Sequence, residues 1–277
     1  MRVRLRAGMT LVELQVALVV GTIIVAAALA VLLSVRRVVE GMLKQTEGER
    51  VGGDAIAVLE ALGQHLRYPK VLGDTALHGE LRIGVGVICR VTPTTVALTP
   101  ASAPLLAAVP PGSAPPLTVL AETPIVGDRL EAYASDSSAD GGWRSHVVSG
   151  VTLVAASEAC GTDGVLVGTT ELTRVALRLA LDPMPRSLAV GAPAELYREI
   201  RLVLYQAGTP GWSIGMRSCL GPRCGAAQPV VGPVRSPSAR GLWFRMDPGS
   251  SLVQAEVRVA GIDHPFEGSL RASGFSP

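Results

Sequence analysis

The chain has 277 residues, 48% of them hydrophobic and only 17% charged, with a formal net charge of +2. That length serves one sizeable domain or two small ones. Without Arg2, Arg4 and Arg6 the 25 basic groups fall to 22 against 23 acidic ones, so the remainder is near neutral, carries no basic stripe and suggests no nucleic-acid partner.

The first element is apolar. Leu14 to Leu33 is interrupted only by Gln15, Gly21 and Thr22. With its flanks the run exceeds ~20 residues, the length a helix needs to cross a bilayer. The three arginines before it predict a cytoplasmic N-terminus, although Arg36 and Arg37 on the far side make that bias modest. A secretory signal peptide would have a shorter apolar core and a small-residue cleavage site. A plain signal anchor fits the length. Neither accounts for Glu13, an ionisable group at the edge of an apolar segment, which is costly unless paired.

The stretch GMTLVEL, Gly8 to Leu14, resembles the processing motif of type IV prepilins, G-[FM]-[ST]-[LI]-x-E-[LMV]. The resemblance implies cleavage after Gly8 by a membrane-bound prepilin peptidase, N-methylation of the new terminus at Met9, and a filament-assembly role for Glu13. In that family this glutamate pairs with the N-terminal amine of a neighbouring subunit. The surrounding LQVALVVGTII is most similar to minor pilins of the PilW type, with J-type pseudopilins of type II secretion as close relatives. Gly21 is read as a helix-packing position, because a small residue permits close helix approach. The partners implied are other major and minor pilins, the peptidase, the inner-membrane assembly platform and the membrane itself. The location implied is a single pass in the inner membrane with the globular domain outside, then the pilus.

After Arg37 apolar residues recur at helical spacing, from Val38 to Leu66, among Glu, Lys, Gln and Arg. One long helix is predicted, bent near Gly52 and Gly53 and stopping before Pro69. The segmentation is a leader over 1–8, a transmembrane or filament-core helix over 9–36, an amphipathic continuation over 37–68, and a β-rich domain over 69–277. The predicted fold class is therefore α+β, a long pilin-type helix, transmembrane then amphipathic, packed on a mostly antiparallel β domain.

Beyond Leu72 the period is two. Val175, Leu177, Leu179 and Leu181 alternate with polar residues, as do Val253, Ala255, Val257 and Val259. In ELYREIRLVLY one face carries Leu196, Ile200, Leu202 and Leu204. RIGVGVICRV and GWSIGMRSC are further strand candidates. Such alternation predicts half-buried antiparallel strands. The proline-rich stretch 92–125 predicts an irregular excursion with short edge strands.

Four cysteines in an exported domain suggest disulfides. Cys219 and Cys224 flank a Gly-Pro turn, which leaves Cys89 with Cys160; zinc ligation and free thiols are the rivals. GWSIG matches the G-x-S-x-G elbow around Ser213, with Asp247 and His264 following in triad order, but no helix is predicted after the serine. DSSADG, 136–141, echoes a calcium loop whose bidentate position would be Val147. Neither cofactor nor metal is expected, and no enzymatic activity. The function implied is that of a minor type IV pilin. The alternatives are a J-type pseudopilin and a pilus-tip module for adhesion or DNA uptake.

Overall fold

In the computed structural model the described residues are 11–100, 118–134, 142–161, 175–183, 188–206, 211–247, 250 and 252–272. They form helix α1 (Leu11–Gln64), then β1 (Leu66–Leu72), β2 (Ala76–Val91), β3 (Thr95–Leu98), β4 (Val119–Leu120), β5 (Arg129–Ala134) and β6 (Gly142–Ala155). The short helix α2 (Ala156–Cys160) precedes β7 (Val175–Asp182), β8 (Pro193–Gln206), β9 (Trp212–Leu220), β10 (Arg223–Cys224) and β11 (Gln228–Val234). A 3-10 turn, Pro237–Ala239, leads to β12 (Leu242–Met246), β13 (Leu252–Val257) and β14 (Phe266–Arg271).

This corrects the expected fold class. The molecule is mostly antiparallel β with one long helix, and the pilin-type transmembrane helix is not shown. Among the described residues no helix is long and apolar enough to cross a membrane. From Arg36 onward α1 carries Arg37, Glu40, Lys44, Glu47, Glu49 and Arg50, so this part of the helix, unlike the uncharged run before it, is unsuited to burial in lipid. The chain divides into two compact units, 1–50 and 51–277.

Within the larger unit the strand pairings close on themselves. β2 pairs with β3, β3 with β7, β7 with β6, β6 with β5, β5 with β8, and β8 returns to β2, every pairing antiparallel. The result is a six-stranded closed barrel, which leaves no unpaired edge around the ring. Its interior is filled by side chains, among them Ile88, Val96, Leu98, Leu130, Val148, Leu179 and Leu196. The alternation in β7 is realised there: Leu177, Leu179 and Leu181 are buried while Val175 is exposed.

β2 and β8 are long enough to serve a second core. They pair continuously from Ala76↔Val203 to Val87↔Pro193, with a register shift at Arg82/Gly84. Beyond the barrel, Leu77, Leu81, Ile200 and Leu202 pack with Ile214 of β9, with Phe244, Val253 and Leu270 of the separate sheet β12-β13-β14, and with Val51, Ala55 and Leu59 of α1. Those last three lie four apart, one face of a helix.

Glycines set the approach of α1 to β14. A Cβ on Gly52 would lie 2.2 Å from the Phe266 ring, one on Gly63 2.7 Å from the Leu270 Cβ, and one on Gly268 2.5 Å from Ile56. The helix runs unbroken through Gly52 and Gly53, where a bend was expected. It ends at Gln64, four residues earlier than expected, and the chain is already strand from Leu66. Pro69 falls inside β1, at the register shift between Arg67 and Lys70. A proline is tolerated there because its missing N–H removes no ladder bond. In the proline-rich stretch β3 and β4 are short strands, and residues 101–117 lie outside the described ones.

Candidate functional site

Of the assembly residues read from the sequence, Gly8 and Met9 lie outside the described residues, and Glu13 and Gly21 are described only by their place within α1. The helix that carries them exposes its apolar side chains. Leu18, Leu32 and Leu43 are 65–66% exposed, and Val31, Leu33, Val35, Val38, Val39 and Met42 are exposed too. Because 31, 32 and 33 are consecutive, this surface runs round the helix rather than along one stripe. Its polar breaks are satisfied locally: Arg36 pairs with Glu40 at 2.7 Å, Arg50 with Glu47 at 2.6 Å, and Gln45 donates to Glu49.

The cysteines are joined as Cys89–Cys160 and Cys219–Cys224. The first bond closes 71 residues and ties α2 to β2. The second spans five residues and joins β9 to β10 across the turn at Gly221, whose φ is +57°.

A second arrangement was not legible as a motif. Arg198 sits on β8 with the same parity as Leu196, which faces the barrel core, and Ile200, which faces the second core. An alternating strand reserves that position for an apolar residue, yet the arginine is buried. It donates to both carboxylate oxygens of Asp128, at 3.0 and 2.8 Å, to the Thr123 carbonyl at 2.9 Å, and to Glu122. Asp128 in turn accepts the Ile125 N–H at 2.7 Å. Hydrogen bonding to Asp128 raises the affinity of Arg198 for its proton, against the opposing effect of burial. This charged plug lies between two apolar cores and pins the 122–128 loop to β8. The signal available in the sequence was an arginine at a core-parity position of a strong strand.

On the outer side of the same strands lies a cleft of about 230 Å³, lined by Tyr68, Lys70, His78, Glu80, Arg129 and Glu199, among others. Its charges are largely cancelled within it. Arg129 meets Glu80 at 2.5 Å, and His78 meets Glu199 at 3.1 Å. Alongside, Arg67 meets Glu131 at 2.5 Å and stacks 4.5 Å from the Tyr197 ring centre. Burial pushes the Glu80 carboxyl up, only partly offset by Arg129. Burial first, then the hydrogen bond to Glu195, pushes the Tyr197 phenol well above its ordinary value. Tyr68 holds a left-handed backbone, φ +49°, uncommon for a bulky side chain.

Ser213 lies inside β9, and the next element is the strand β10, not a helix. The backbone turn that a nucleophile elbow requires is therefore missing at that serine. The segment 136–141 lies outside the described residues, and Val147 is a residue of β6. Among the described residues no cluster of three His, Cys, Asp or Glu side chains is placed to hold a metal ion. No family model, curated protein or solved structure matches the chain.

Proposed function

We propose that this protein is a minor type IV pilin, a structural subunit cleaved after Gly8, N-methylated at Met9 and built at low copy into a pilus or its initiating complex. The observation that carries the reading is GMTLVEL at the head of a helix whose described apolar side chains between Leu18 and Leu43 are exposed among the described residues. So large an apolar surface on a water-exposed helix marks a place where other chains bind. The reading requires no membrane-crossing helix. It rests on leader removal and on burial of α1 against the helices of neighbouring subunits in the fibre.

Glu13 then has a physical task. A carboxylate enclosed among apolar helices is strongly unfavourable until a cation meets it. Cleavage supplies that cation, the new amine at Met9 of a neighbour. The pairing favours one axial register over others, because any other register strands both charges. The partners are other pilins, the prepilin peptidase and the assembly platform at the inner membrane.

Intact-mass and N-terminal sequencing of the protein from its native cells test this reading. A mature chain beginning at N-methyl-Met9 is the expected result, and a chain still beginning at Met1 overturns it. Gly8→Ala leaves the leader uncut. Glu13→Ala permits cleavage but impairs incorporation into fibres, and normal incorporation of that variant removes the assembly mechanism.

A further inference from the structure

We propose that the cleft between α2 and the β2-β3-β7 face is a binding site for an oxyanion, a phosphate, sulfate or carboxylate group. The cleft has a volume of about 330 Å³ and is lined by Arg90, Thr92, Thr95, Ala97, Ala159 and Arg178. Three adjacent strands build its wall. Arg90 of β2 is paired across from Ala97 of β3, and Ala97 across from Arg178 of β7. Residues in register on neighbouring strands share one face, so two arginines flank a single alanine. That alanine and Ala159 of α2 are buried and small, and the space between the guanidiniums is left open by their size.

The two guanidiniums converge. Arg90 Nη1 and Arg178 Nη2 each donate to the same acceptor, the Glu158 carbonyl oxygen, at 3.3 Å. They therefore stand at most twice that distance apart, although like charges repel and β-strands two apart are about 9–10 Å from one another. Among the described residues the carboxylate that meets them is Glu158, 3.2 Å from Arg178 and itself well exposed. Two positive charges face one negative charge, and each arginine has five N–H donors arranged as a planar fork. Among the described residues Arg90 uses one of them, at a long distance, and Arg178 uses little more. The unmet demand is for acceptor oxygens carrying negative charge, which a forked guanidinium pair matches better than any other ligand class. Thr92 and Thr95 lie at the rim with their hydroxyls 2.7 Å apart, adding neutral polar groups and no competing charge.

The charged cleft lined by His78, Glu80 and Arg129 differs in this respect. Its arginine and histidine already hold carboxylates of their own, so it offers no charge surplus. The position of α2 also matters. The Cys89–Cys160 bond lies one residue from Arg90 on one side and two from Glu158 on the other, and it holds the lid of the cleft against its wall.

The test uses the full chain with disulfides intact, titrated at constant ionic strength with sodium phosphate, sulfate and acetate. The side-chain Nε–Hε resonances of Arg90 and Arg178 are followed by NMR. A saturable shift of both is expected, with affinity reduced roughly tenfold in Arg90→Gln and in Arg178→Gln, the loss of one charge-assisted contact. Glu158→Gln separates this role from a merely structural one. It removes the competing carboxylate from an exposed position, so affinity rises a few-fold, whereas arginines that only cap α2 give no such gain. Tighter binding of phosphate or sulfate assigns the site to tetrahedral oxyanions, and equal binding of acetate assigns it to carboxylates. Absence of a saturable shift in both the parent chain and Glu158→Gln overturns the proposal.

Discussion

The two stretches of α1 make an instructive pair. Residues 18–43 and 51–64 belong to one helix and both carry Val, Leu and Ala. In the first, Leu32 and Leu43 are 65% exposed; in the second, Leu59 and Ala55 are fully buried. The difference is not one of propensity. The second stretch finds a sheet cut to receive it, with glycines at 52, 63 and 268 admitting Phe266, Leu270 and Ile56 at close range. Among the described residues no such surface covers the first. Under the proposed function, neighbouring subunits would supply that cover.

The largest expected contrast comes from matched truncations. Leu59→Ala opens a cavity in a packed core and should lower unfolding stability by about 2–5 kcal/mol. Leu32→Ala should change it by less than about 0.5 kcal/mol while weakening incorporation into fibres. Chemical denaturation of both variants checks this, and equal losses would break the contrast between covered and uncovered stretches.

The glycines allow a sign test of the same idea. Gly52→Ala drives a methyl into the Phe266 ring and should cost about 1–3 kcal/mol. Gly41→Ala meets nothing within 4 Å and should raise helix stability by roughly 0.5–1 kcal/mol. Thermal melts of the two variants should shift in opposite directions.

Loop length ranks the two disulfides. In the chain-entropy picture, removing Cys89–Cys160 by paired serines costs about 4 kcal/mol, and removing Cys219–Cys224 about 2 kcal/mol. Neither bond touches residues 18–43, so both variants should leave the exposed stretch of α1 as susceptible to limited proteolysis as before.

The smallest effects are in pH. Glu80, in the covered unit, has a folded-state affinity for its proton raised by burial. The folded chain therefore binds that proton more tightly than the unfolded one. Its contribution to stability declines as pH rises through the carboxylate range, and the deficit is complete above it. Glu47, on the exposed stretch, is held below its ordinary value by the hydrogen bond from Arg50. Its contribution is present above the unfolded value and is lost as pH falls. Stability measured from pH 3 to 7 for Glu80→Gln and Glu47→Gln, each against the parent, should show differences sloping in opposite directions. That for Glu47 should be the shallower, since the group is fully exposed.

Much of the β region was legible in local pattern. Leu177, Leu179 and Leu181, and Val253, Ala255 and Val257, show the two-residue period in the sequence and are buried in the structure. That period reports one face of a strand and is a local property. The sequence was less informative where a residue acts through distant partners. Arg198 reads as a routine polar residue in ELYREIRLVLY, but its parity places it inside, and Asp128, 70 residues away, makes that tolerable. Arg90 and Arg178 are likewise unremarkable until β3 is inserted between their strands. The apolar run near the N-terminus pointed to a membrane span, yet among the described residues no helix is long and apolar enough to cross one.

By itself, then, the sequence determined the periodic elements and the Gly8–Glu13 motif, since both depend on residues close together in the chain. Only the tertiary structure decided that β2 returns to β8 to close a barrel, that a charged plug divides two cores, and that Val51, Ala55 and Leu59 of α1 are buried while Leu32 and Leu43 are not. Those outcomes depend on which strand meets which, a matter of long-range pairing and shared burial that no local window of residues encodes.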